Sequence, residues 1–181
     1  MLFTVVVLVA RAAPAAGEPP AATEYQIKAA FLYNFALFVE WPPDAAPQPN
    51  TPFLIGIFGE DPFDADVEQA MKDETVNGRP IVIKHFSRVE DLEFSHILFI
   101  RAAERARLKS ILDAVHRWSA LTVGETERFT EQGGMVNFTL KGNRVRFEIN
   151  REATTRAGLK ISSKLLNLAE EIRGSGGGRE Q

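Results

Sequence analysis

The chain has 181 residues, 45% apolar and 25% charged, which fits one ordinary globular domain with a full core and excludes a low-complexity chain. Its net charge of −3 includes no basic block, so no nucleic acid is expected as a partner. It contains no cysteine, which excludes disulfides, thiolate zinc sites and thiol catalysis and leaves core burial to hold the fold.

Residues 2–10, LFTVVVLVA, form a short apolar core followed by Arg11 and small residues, with Ala13-Pro14-Ala15 as a cleavage site. That length suits a signal peptide and is too short to cross a bilayer. The positive n-region of such a segment is missing, which points to a start further upstream. Residues 1–16 therefore read as an export signal, 17–22 as a Pro/Ala linker, 23–172 as one α/β domain and 173–181 as a Gly-rich disordered tail. Without a lipobox cysteine, the exported protein is expected in the periplasm as a soluble chain.

Thr23 with Gln26 makes a capping box for a helix running to about Trp41, where Trp41-Pro42-Pro43 stops it. Ile27, Phe31, Phe35 and Phe38 form its expected buried stripe, with Ala30, Asn34 and Val39 beside it. After a loop, the apolar run at 53–58 reads as a central strand covered on both faces. It ends in Gly59-Glu60-Asp61, and Asp64 is placed to cap a helix carrying Val67 and Met71. An Asn77-Gly78 turn leads into a strand at 81–85. A third strand at 96–100 enters a helix over 104–118 with Leu108, Ile111, Leu112 and Val115 inward, and a fourth strand covers 121–124.

The next segment builds a hairpin residue by residue. Lys141-Gly142-Asn143-Arg144 places Gly at the first central position, as a type II′ turn prefers. Pairing outward sets Leu140 against Val145, Phe138 against Phe147 and Val136 against Ile149, with Thr139–Arg146 and Asn137–Glu148 on the other face. A slip by one residue would destroy that match. Asn150 then caps a short helix over 151–157 that Gly158 ends, and Ser162 caps a last helix with Leu165, Leu166, Ala169 and Ile172 on one stripe. The whole reads as an α/β fold: a mixed, mainly parallel sheet of about six strands flanked by helices, with a C-terminal antiparallel hairpin.

Catalytic patterns are lacking. His85, His96 and His116 have no metal-ligand spacing, no nucleophile elbow or phosphate loop occurs, and capping explains Ser162. In open α/β sheets ligands sit outside the C-terminal ends of parallel strands. Three such ends carry Gly59-Glu60-Asp61, Arg101 and Gly124-Glu125, a set suited to a small zwitterionic ligand or a partner, although solvated turn residues explain it too. As turn residues, Asp61 and Glu125 are expected to carry little core burial. The hairpin's outer face, with Arg144, Arg146 and Glu148 beside Asn137, is the second candidate surface. Neither set implies a cofactor or a metal.

Five blocks in order, AAFLYNFALFVEWP, FLIGIFGEDPF, NGRPIVI, SHILFI and the run from GGM through RFEIN to AGLKISSKLLNLA, resemble the YfiR-like family of periplasmic proteins. The resemblance covers residues 24–169. It implies an α/β sandwich and a non-enzymatic repressor that binds the periplasmic domain of an inner-membrane diguanylate cyclase and lowers cyclic-di-GMP and biofilm. It further implies an outer-membrane lipoprotein as a sequestering partner, and a homodimer as one assembly state. The alternatives are a small-ligand-binding accessory of an envelope uptake or sensing system and, less favoured, an enzyme acting on a small substrate. Export gives the first test: N-terminal sequencing of periplasmic protein should find a start between Ala13 and Ala21, and a start at Met1 would refute the signal.

Overall fold

A computed structural model describes residues 23–45, 51–59 and 63–174; the expected export signal, most of the expected tail, and Glu60 and Asp61 lie outside the described residues. Helix α1, Glu24–Phe38, starts as expected: Thr23 Oγ1 accepts from the Gln26 N–H and the Gln26 side chain returns a bond to the Thr23 N–H. It ends sooner than expected. Val39–Glu40 (β1) pairs antiparallel with Lys160–Ile161 (β9), because the residue before Pro42 must be extended and the ladder takes up the chain just ahead of it. The core face is rotated from the expected stripe onto Lys28, Ala29, Leu32, Phe35 and Ala36; Ala29 and Ala36 give close approach, while Ile27, Phe31 and Phe38 pack at its margin.

Among the described residues, eight strands form one sheet. They are β2 (Phe53–Phe58), β3 (Thr75–Val76), β4 (Arg79–Phe86), β5 (Ile97–Ile100), β6 (Leu121–Gly124), β7 (Val136–Lys141), β8 (Arg144–Asn150) and β10 (Glu171–Arg173). The order is β10-β8-β7-β6-β5-β2-β4-β3. The run β4-β2-β5-β6-β7 is parallel; β3–β4 and β7–β8 are antiparallel. β2 and β5 are buried along their whole length, so both faces need cover. Helices α1, α2 (Phe63–Met71) and α5 (Ser163–Leu168) cover one face around Ile55, Phe99, Val123 and Phe138, and α3 (Leu108–Val115) covers the other around Phe58, Leu98, Ile100 and Phe129.

Local chemistry explains the departures from the sequence reading. The stretch expected as one helix from 104 begins as a 3-10 turn, Ala102–Arg107, with no side-chain cap at Arg101, and only then becomes α3. The short helix α4, Arg151–Arg156, is capped by Asn150 as expected, its Oδ1 accepting from the Ala153 N–H at 3.0 Å. Ser162 caps α5 as expected, but that helix stops at Leu168. Ile172 then sits in β10, parallel to β8, because the open edge of β8 offers ladder partners that a further helical turn would leave unmet. The expected Asp64 cap lies outside the described side chains.

The hairpin register is the expected one at every pair from Val136–Ile149 to Lys141–Arg144. Its turn is different: Gly142 and Asn143 both have positive φ, 49° and 59°, which is type I′, and Asn tolerates the second left-handed position. Phe138 and Phe147 are buried, whereas Leu140 near the tip stays 56% exposed beyond the reach of α1. Phe147→Asp puts an unpaired charge into this face and should cost several kcal/mol, about half or more of a typical domain's stability. Arg146→Ala, on the exposed face, should cost about 0.5 kcal/mol or less. Urea denaturation of both variants checks the register; equal midpoints would refute it.

Candidate functional site

From β2 the chain goes to β4 on one side and returns to β5 on the other, so the order reverses between β2 and β5. At that switch point the sheet's C-terminal edge gathers Gly59, Arg101, Gly124 and Glu125, four of the residues singled out in the sequence. The Gly59 N–H donates to Phe86 O, and the Arg101 N–H to Phe58 O. Gly124 is explained by packing: a Cβ there would lie 2.4 Å from the Phe129 ring, and one on Gly134 would lie 2.0 Å from the ring's other side.

The first turns of α1 complete this edge with residues that the sequence reading did not select. Lys28 Nζ donates to Glu125 Oε2 at 2.7 Å and to Glu24 Oε1 at 2.5 Å. Glu125 Oε1 accepts from the Ala102 N–H at 3.1 Å and lies 3.8 Å from Arg101 Nη2, which donates to Tyr25 Oη at 3.3 Å. Both cations flank the Tyr25 ring, Lys28 Nζ at 5.1 Å and Arg101 Cζ at 5.5 Å from its centroid. Glu125 is therefore no solvated turn residue; its side chain is 7% exposed, and the expectation of little burial is corrected. Burial alone would lower the Lys28 pKa, but hydrogen bonds and charge from Glu125 and Glu24 outweigh it and raise the pKa above 10.5. The only sequence signal was a single lysine within a largely apolar helical stretch. Its partner lies 97 positions away.

The outer hairpin face divides. Arg144 and Arg146 are exposed, while Glu148 is half-buried and accepts from Thr130 Oγ1 at 3.2 Å under the loop that follows β6. The two candidate surfaces thus remain separate, and Glu60 and Asp61 lie outside the described residues.

A cleft of about 540 Å³ opens at the opposite, N-terminal edge of the strands, between the end of α1 and the β3–β4 turn. Trp41, Phe53, Arg79 and His96 line it, with Val39, Glu40 and Pro42. The Arg79 guanidinium is anchored by Thr51 O at 2.7 Å and Pro52 O at 3.1 Å, and its Nη2 lies 2.9 Å from His96 Nε2. Trp41 Nε1 donates to His96 O at 3.1 Å, and the imidazole stacks on Phe53 with centroids 4.5 Å apart. No spacing in the sequence joins these residues, which come from four separate segments.

A family model described as YfiR/HmsC-like matches residues 25–170. Among solved structures, a conserved domain protein from Vibrio cholerae O1 biovar El Tor is similar, with 11% identity and a TM-score of 0.55 over 83% of this chain and 60% of that one. An ABC domain in complex with L-Trp from Streptococcus pneumoniae gives the same values, 11% identity and a TM-score of 0.55 over 83% and 60%. Both likenesses concern the fold, and the chain spans 60% of the length of each of those proteins. No curated protein matches.

Replacing Lys28 tests the buried cluster. Lys28→Met leaves Glu125 without its closest cation and should cost about 3 kcal/mol, the usual effect of removing one partner of a buried pair. The folded pKa of Lys28 lies above the unfolded one, so this stabilisation is fully present below about pH 10.4 and is lost as the pH rises through the folded value. The stability gap between wild type and Lys28→Met, measured by urea denaturation, should therefore be constant at neutral pH and shrink above pH 10.5.

Proposed function

Because this chain belongs to the YfiR/HmsC-like family, we propose that it is a periplasmic repressor that binds the periplasmic domain of an inner-membrane diguanylate cyclase and so lowers cyclic-di-GMP. YfiR-like proteins are periplasmic regulators of diguanylate cyclases and generally non-catalytic. The observation that carries the reading is the match over residues 25–170, almost the whole described domain. The apolar segment at 2–10 supports export, and among the described residues no helix is long and apolar enough to cross a membrane. An outer-membrane lipoprotein that sequesters the repressor would release the cyclase.

The exposed Arg144 and Arg146 provide a protein-contact face whose alteration leaves the core intact. The C-terminal strand edge is less suited to that test, because Glu125 is built into the buried cluster. A second reading, a small-ligand-binding accessory of an envelope uptake or sensing system, is favoured by the cleft at the opposite strand edge.

Deleting the gene in a strain that encodes the partner cyclase should raise cyclic-di-GMP and biofilm. Pull-down of the exported protein from cell envelopes should recover that cyclase. Arg144→Ala with Arg146→Ala should weaken capture by about 30-fold or more if the two charges are desolvated in the contact, and by only a few-fold if they lie at its rim. Unchanged cyclic-di-GMP on deletion would refute repression and favour the accessory reading.

A further inference from the structure

We propose that the cleft at the N-terminal strand edge binds a small carboxylate, with the Arg79 guanidinium and the Nε2–H of His96 as its two donors. The Leu54 N–H donates to His96 Nδ1 at 3.0 Å, so Nδ1 is the accepting nitrogen. A neutral imidazole has one accepting and one donating nitrogen, which puts the proton on Nε2. The ring is neutral at physiological pH, since burial and the Arg79 charge push its pKa down to about 4.

Nε2 therefore points a donor at another donor. It lies 2.9 Å from Arg79 Nη2, and a guanidinium has no acceptor to offer. His96 is 1% exposed, so bulk water does not relieve this contact. Nor is the guanidinium free to turn away, because its Nε and Nη2 donate to Thr51 O and Pro52 O. An oxygen acceptor entering from the cleft, with a small opening of the Nη2–Nε2 contact, would take hydrogen bonds from both groups and resolve the conflict.

The charge around the pair selects the ligand. The guanidinium supplies a single positive charge at the donors, enough to pair with one carboxylate, and Glu40 in the same lining disfavours a second negative charge. The half-buried Trp41 and the exposed Leu37 add apolar surface beside the donors within a mostly polar lining, which leaves a place for the hydrocarbon body of a small carboxylic acid that a bare inorganic ion would not use. The inference is independent of the proposed repression, because it concerns ligand binding by the isolated protein.

The experiment is a titration of the exported chain, labelled with nitrogen-15, with benzoate as the carboxylate probe and benzamide and sulfate as controls. Before any ligand is added, the His96 ring signals should show a protonated Nε2 and an unprotonated Nδ1; the opposite tautomer would overturn the proposal. Benzoate should then shift the His96 and Trp41 Nε1 signals saturably, and neither control should. Arg79→Gln, checked for an unchanged backbone spectrum, should raise the benzoate dissociation constant about 30-fold or more. If that variant does not fold, the wild-type tautomer and the benzoate–benzamide contrast still decide. Equal shifts with benzamide would reduce the site to an apolar cleft, equal shifts with sulfate would make it a general anion site, and no shift at all would leave an internal contact; each overturns the proposal.

Discussion

The domain depends on one contact, the docking of α1 on the C-terminal hairpin. Phe31 and Phe35 meet Phe147 edge-on at 5.3 and 5.2 Å, and Phe35 stacks on Phe138 at 5.8 Å. Such pairs contribute about 0.5–1.5 kcal/mol each beyond the area they bury, and Phe35 and Phe147 are fully buried. The contact ties the first element of the domain to one of the last. It also sets the rotation of α1. Lys28 lies seven positions before Phe35, two helical turns, so the face that delivers Phe35 to the hairpin delivers Lys28 to the end of β6. The buried ion pair with Glu125 follows from the aromatic docking, and adds specificity of rotation more than net stability.

The two edges of the sheet consequently differ in kind. At the C-terminal edge, where doubly wound folds usually hold ligands, Lys28 and Arg101 face Glu24 and Glu125 and the polar groups are matched to one another. At the N-terminal edge, with the His96 proton on Nε2, the donors of Arg79 and His96 face each other. The general rule for strand ends found the more polar edge. Hydrogen-bond accounting, which asks what each donor donates to, singles out the other edge.

What the sequence revealed and what it hid follow the range of the forces involved. The hairpin register was legible because a period of two and a short turn decide it within fifteen residues; the turn type was misread because Asn143 as well as Gly142 takes a left-handed conformation. The caps at Thr23, Asn150 and Ser162 were legible for the same local reason. The rotation of α1 was not, since Phe31 and Lys28 compete for the inward face and only the hairpin decides between them. β10 was hidden because its ladder partner, β8, is remote in sequence. Lys28–Glu125 and Arg79–His96 were invisible as pairs for that reason too.

The blocks that carry the family resemblance divide when placed on the structure. RFEIN supplies the aromatic docking and the cap of α4, and the Gly-Gly-Met block makes room for Phe129, which would touch a Cβ on Gly134 at 2.0 Å. These are roles in the core, and core packing does not specify a function. Three other blocks behave differently at their ends. FVEWP contributes Trp41, NGRPIVI contributes Arg79 and SHILFI contributes His96, and the three side chains meet only in the cleft. Holding the loops together would require of them only the bonds to backbone carbonyls, which use Trp41 Nε1, Arg79 Nε and one hydrogen of Nη2. The imidazole Nε2–H and the rest of the guanidinium exceed that need. Donors left over at the meeting point of three separate segments, beside the half-buried Trp41, are what a binding site needs and a purely structural junction does not.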